Sequence, residues 1–203
     1  MSGYSVERSE QIYAGRVLAL RRDEVRMPDG HLAIREVVVH PGAVAVVALD
    51  EADRVVLVRQ YRHPVGGYLV ELPAGLLDVH GEAAHLAIQR ELHEEAGITA
   101  ASWHTLVDLR TSPGFSDEAV RVYLARELSD VATADLFVGQ HEESDMTVER
   151  VHLDDAVRQV LTGAIENAIT VAGIMATLAT RDAGYADLRP ADAGWAARSA
   201  VQP

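Results

Sequence analysis

Three carboxylates and an arginine fall within the segment Arg90-Glu91-Leu92-His93-Glu94-Glu95, which runs on into Ala96-Gly97-Ile98. Residues 82–96 carry a helical pattern, and Gly97 is placed to end it as a C-cap. Advancing about 100° per residue, Glu95 falls about 40° and Glu94 about 60° from Glu91 on the helical wheel. Ala84, Ile88 and Leu92 share that arc, whereas Glu82, Gln89 and His93 fall opposite. Glu91 and Glu95 therefore project from the edge of the core-facing stripe. Carboxylates crowded there repel and resist desolvation unless a cation or protons compensate. By spacing alone a solvated charged face explains the cluster as well as a metal site does. The overlap with the apolar stripe favours a hard cation, Mg2+ or Mn2+, held by oxygen ligands. Arg90 is open to two roles, a surface ion pair or a clamp on the carboxylates. Gly75 and Gly81 bracket the preceding loop, either as turn residues or as points where backbone carbonyls approach a metal.

A scaffold has to hold that helix. Apolar runs at Ala43–Leu49 and Arg54–Tyr61 read as strands covered on both faces. Leu69–Leu72 is a short strand ended by Pro73-Ala74-Gly75, and further strands are expected at Trp103–Leu109 and Ala119–Ala125. Helices are expected over Asp154–Leu161 and Asn167–Thr180. Ahead of Pro41-Gly42, residues 12–40 read as short strands with a hairpin turn at Pro28-Asp29-Gly30. The expected class is α/β with a mixed sheet and an N-terminal antiparallel β appendage. The expected division is residues 1–42 for the appendage, 43–180 for the main domain and 181–203 for a loose tail.

Composition narrows the chemistry. The 203 residues hold 31 acids against 18 bases, a formal net charge of −13. That argues against nucleic acid and anionic membrane as partners. All 18 bases are arginine, so lysine Schiff bases and Walker-type phosphate binding are excluded. With no cysteine, disulfides, thiolate metal sites and thiol nucleophiles are excluded too. Met1–Glu10 is polar, with no signal-peptide apolar run, and no apolar stretch is long enough to span a bilayer. A cytoplasmic protein is expected.

The helix segment resembles the Nudix box, G-x5-E-x7-R-E-U-x-E-E-x-G-U with U aliphatic. Glu82 to Ile98 fits it at every defined position, while six residues rather than five separate Gly75 from Glu82. Leu72-Pro73-Ala74-Gly75, Gln60-Tyr61-Arg62, Ser112-Pro113-Gly114 to Glu118 and His141–Met146 are similar to the ADP-ribose pyrophosphatase branch, actinobacterial type. The similarity runs from about residue 12 to 180. It implies an α/β/α sandwich, a homodimer with interleaved N-terminal β elements, and metal-dependent cleavage of ADP-ribose to AMP and ribose 5-phosphate. A pyrophosphatase for another nucleoside diphosphate sugar, such as GDP-mannose, and a non-catalytic ADP-ribose sensor are the alternatives.

The resemblance also implies roles. Glu91, Glu95 and the Ala74 carbonyl match metal ligands, with Glu94 nearby and Asp145 assisting. Glu143 matches the loop acid that serves as base, with Glu142 as the second candidate. Arg62 matches a phosphate-contacting arginine. Arg35 and Glu36 match positions that hold adenine and its ribose, and Ser112 and Glu118 match contacts to the terminal ribose. Leu18 stands where relatives often place an aromatic residue against the base, which leaves base selectivity looser.

Overall fold

A computed structural model describes residues 3–131 and 145–199. They divide into two compact units, residues 3–42 with 110–119, and residues 43–109 with 120–131 and 145–199.

In the first unit, β1 (Ser5–Ala14), β2 (Ala19–Arg26) and β3 (Leu32–Val39) form an antiparallel sheet in that order. The expected hairpin turn is present: Gly30 adopts φ 86°, and the Met27 N–H donates to the His31 carbonyl at 2.8 Å. The sheet begins earlier than the sequence suggests, because β1 starts at Ser5. Every residue of β1 is exposed, so no apolar alternation marks it in the sequence. Across β2–β3, Asp23 lies opposite Arg35 and Arg22 opposite Glu36.

The second unit is built on β4 (Ala43–Ala48), all six of whose residues are buried. It pairs in parallel with β9 (Ala119–Asp130) and antiparallel with β7 (Ala74–Leu76). The sheet order is β11 (Arg189–Pro190), β8 (Ile98–Arg110), β9, β4, β7. Strand alternation sends β4 side chains to both faces. Ala45, Val47 and Leu49 join a core with residues of α2 (Leu153–Leu161) and α3 (Ala168–Arg181). Val44, Val46 and Ala48 join another with Ala87, Ile88 and Leu92 of α1 (Ala84–Ala96). This is the expected α/β/α layering. A second sheet runs β10 (Thr147–His152), β5 (Arg54–Arg62), β6 (Gly67–Glu71).

Helix α1 begins two residues later than the pattern suggests. Ala83 is extended and offers no side-chain cap, and the Glu82 carboxylate is engaged by Arg90. At the other end Gly97 adopts φ 62°, the left-handed conformation that glycine enters without a Cβ penalty. Asn167 caps α3, its Oδ1 accepting from the N–H groups of Ile169 (2.9 Å) and Thr170 (3.0 Å).

Residues 189–194, expected in a loose tail, are held to the sheet. Strand β11 pairs with β8, and the buried Arg121 of β9 donates to the carbonyls of Ala193 (2.6 Å) and Gly194 (3.1 Å). The same guanidinium binds Asp108 through Nε and Nη2, and Trp195 lies 4.8 Å from it. A guanidinium taken out of water needs such acceptors, and the tail supplies them.

Candidate active site

The carboxylates of α1 meet the backbone at Ala74–Gly75. Glu95 Oε2 accepts from the Ala74 N–H at 3.0 Å. A strand residue projects its N–H and C=O to the same edge, so the Ala74 carbonyl is presented on the edge that faces Glu95. Glu91 packs against Gly75 so closely that a Cβ there would lie 2.2 Å from its carboxylate carbon. The helix period and a glycine thus bring Glu91 and Glu95 to one corner of the sheet.

Arg90 is ion-paired to three carboxylates around it. Its Nε and Nη2 donate to Glu82 at 3.2 and 3.1 Å, and its Nη1 to Glu91 (2.7 Å) and Glu94 (3.1 Å). The Glu82 hydrogen bonds, against the opposing effect of burial, raise its pKa further above the ordinary arginine value. One guanidinium faces Glu82, Glu91 and Glu94, with Glu95 alongside, so four carboxylates gather at this corner. Among the described residues no three His, Asp or Glu side chains close on one point as a finished metal cage. The corner nevertheless fits a hard divalent cation, since its donors are carboxylate and carbonyl oxygens in a setting that needs positive charge.

Arg62, at the end of β5, donates through Nε (2.9 Å) and Nη2 (2.6 Å) to Glu71 Oε2. Glu71 is buried at 3% exposure, and its other oxygen accepts from Asn167 Nδ2 at 2.8 Å. Neither Glu71 nor Asn167 stands out in the sequence as a site residue. The expected N-terminus of α3 at Asn167 is the one signal that bears on them.

Asp145 is exposed and accepts a hydrogen bond from the Tyr68 hydroxyl. That bond raises the Tyr68 pKa, and the Arg59 guanidinium sits 4.0 Å from the same ring. Glu142 and Glu143 lie outside the described residues.

In the first unit, Arg35 and Glu36 are consecutive on β3 and so point to opposite faces of the sheet. Glu118 is bonded by the Thr111 hydroxyl and lies 3.5 Å from His40 Nδ1. Ser112 instead uses its carbonyl to close the turn, accepting from the N–H groups of Phe115 (3.1 Å) and Ser116 (2.9 Å).

Residues 39–171 match the NUDIX domain. The chain belongs to the Nudix family. Residues 6–38 of this Nudix protein match the nucleoside diphosphate sugar hydrolase N-terminal domain. It is 51% identical over 187 residues to a Mycobacterium tuberculosis protein named ADP-ribose pyrophosphatase, covering 92% of this chain and 88% of that one. It is 39% identical to a Bacillus subtilis protein of the same name, over 81% and 87% of the two chains. The crystal structure of an ADP compounds hydrolase matches with a TM-score of 0.76 at 22% identity, covering 89% of this chain and 96% of that one. That match supports the Nudix fold. No helix among the described residues is long and apolar enough to cross a membrane.

Proposed function

We infer that this Nudix hydrolase cleaves the pyrophosphate bond of ADP-ribose to AMP and ribose 5-phosphate, with Mg2+ or Mn2+ as its ion. The observation that carries the reading is the meeting of Glu91 and Glu95 with Ala74–Gly75, oxygen donors gathered where a pyrophosphatase needs positive charge. Glu91, Glu95 and the Ala74 carbonyl would hold the ion, with Glu94 alongside and Arg90 fixing the carboxylates. A divalent ion bound there supplies charge neutralisation and activates water. The protein's own field repels a dianionic substrate, since the chain carries −13.

Arg62 would contact a substrate phosphate through a guanidinium already oriented by Glu71. Glu143 would take the proton from the attacking water, with Glu142 as second candidate and Asp145 assisting at the ion. Arg35, Glu36, Ser112 and Glu118 would hold the adenosine and terminal ribose. A homodimer through the N-terminal sheet and a cytoplasmic location belong to the same reading.

Leu18, 42% exposed in place of the aromatic residue, favours a second reading, a broader range of nucleoside diphosphate sugars. Phosphate-containing products measured from ADP-ribose, GDP-mannose and NADH with Mg2+ separate the two. Cleavage of ADP-ribose well above the others is expected. Preference for GDP-mannose would replace the first reading with the second, and binding of ADP-ribose without turnover would mark a sensor.

A further inference from the structure

We propose that Asn167 is a positioning residue that sets the phosphate-contacting guanidinium of Arg62 through the buried carboxylate of Glu71. The inference rests on the reading of Arg62 given above.

The chain of contacts is continuous. Asn167 Nδ2 donates to Glu71 Oε1 at 2.8 Å, and Glu71 Oε2 receives both Nε and Nη2 of Arg62. A planar guanidinium engaged along one edge is fixed in the direction of its other edge. Arg62 is 40% exposed in its side chain while that of Glu71 is 5% exposed. The carboxylate is the dry anchor and the arginine its outward-facing end. An apolar pair could brace a β-hairpin without taking a charge out of water; what the ion pair adds is a fixed direction for the guanidinium.

Asn167 does more than bond Glu71. Its Oδ1 caps α3 through Ile169 and Thr170, and the Thr170 hydroxyl accepts from the Leu72 N–H at 3.0 Å. Leu72 leads through Pro73 into the Ala74–Gly75 corner. The first turn of α3 therefore grips the side chain of Glu71 and the backbone of its neighbour at once. One amide, with a donor and an acceptor on the same planar group, serves helix and site together.

Asn167→Asp separates these duties. Aspartate caps a helix as well as asparagine does, but it has no donor for Glu71 and sets a second carboxylate against it. The expected result is a KM for ADP-ribose raised roughly tenfold, in the range of couplings between contacting residues, with kcat little changed and the thermal midpoint lowered by the buried carboxylate pair. In an Arg62→Ala background the same substitution should produce no further rise. A rise by the same factor in both backgrounds would overturn the proposal, as would an unchanged KM in Asn167→Asp when Arg62→Ala alone raises it. If Arg62→Ala itself keeps the wild-type KM, the assignment of Arg62 falls and the relay with it. Asn167→Ser, which can cap but is too short to reach Glu71, gives the same comparison should the aspartate variant fail to fold.

Discussion

The carboxylate of Glu91 occupies the space that a side chain on Gly75 would need, at 2.2 Å from an added Cβ. Nothing about the Gly75 backbone demands glycine, since its φ lies outside the left-handed range. The requirement comes from the carboxylate. Gly75→Ala should therefore push Glu91 out of the corner, weakening Mg2+ affinity and lowering activity about 10-fold or more, as misplacement by about 1 Å does in catalysis. Calorimetric titration with Mg2+ checks this, and unchanged affinity would contradict it.

Glu91→Gln and Glu95→Gln should each weaken divalent-ion binding and activity. Both remove charge from one corner, so the double variant should lose less than the product of the single losses. Normal Mg2+ dependence in either single variant would show that its carboxylate does not hold the ion.

Glu143→Gln keeps size and hydrogen bonding but loses basicity. Turnover at saturating Mg2+ should fall by about 10²–10⁴, the range for a general base, with little change in substrate or metal affinity. If Glu142 is the base, its glutamine variant shows that loss instead. Near-normal turnover in both would leave this loop without a role in proton transfer.

Asp108 carries a pH signature. Burial pushes its carboxyl up, but hydrogen bonds from Arg121 and Arg189 outweigh that and hold its pKa below the ordinary value. A carboxylate with a depressed pKa stabilises the fold above its unfolded pKa of about 4, and the contribution drains away as pH falls below that. Asp108→Asn should cost about 3 kcal/mol at neutral pH by removing the counter-charge of a buried guanidinium. Urea unfolding should show the gap to wild type narrowing once the pH drops below about 4. A gap independent of pH would rule out this ionic role.

The fully exposed β1, with Val6, Ile12 and Tyr13 among its surface residues, predicts a two-fold dimer through the N-terminal sheet. Light scattering at micromolar concentration should give twice the chain mass. A fully active monomer would exclude it.

What the sequence reveals follows the reach of each interaction. The carboxylate arc on α1 and its end at Gly97 are legible because a helix repeats within a few residues. The continuous apolar run of β4 is legible because burial on both faces leaves no polar positions. Strand β1 is hidden, since an exposed strand has no alternation to display. The Arg62–Glu71 pair depends on the β5–β6 register, where Val58 lies opposite Glu71 and Arg62 opposite Gly67. Asn167 joins it only after α3 folds back. The hold of Arg121 on Ala193 and Gly194 is beyond any local pattern. The hydrogen bond from Thr111 to Glu118 depends on the geometry of the intervening turn, which no local pattern displays.

The parallel pairing of β4 with β9, Ala43 beside Val120, has a consequence for synthesis. A nascent chain delivers β4, every residue of which is apolar, long before the strand that completes the central ladder leaves the ribosome. Non-local pairing of this kind is slow and exposes sticky segments while it waits. The α1 face can cover one side of β4 early, but its other side needs Leu153 and Ile174, from the last third of the chain. Release of a chain broken off before α3 should therefore yield aggregate rather than a smaller enzyme.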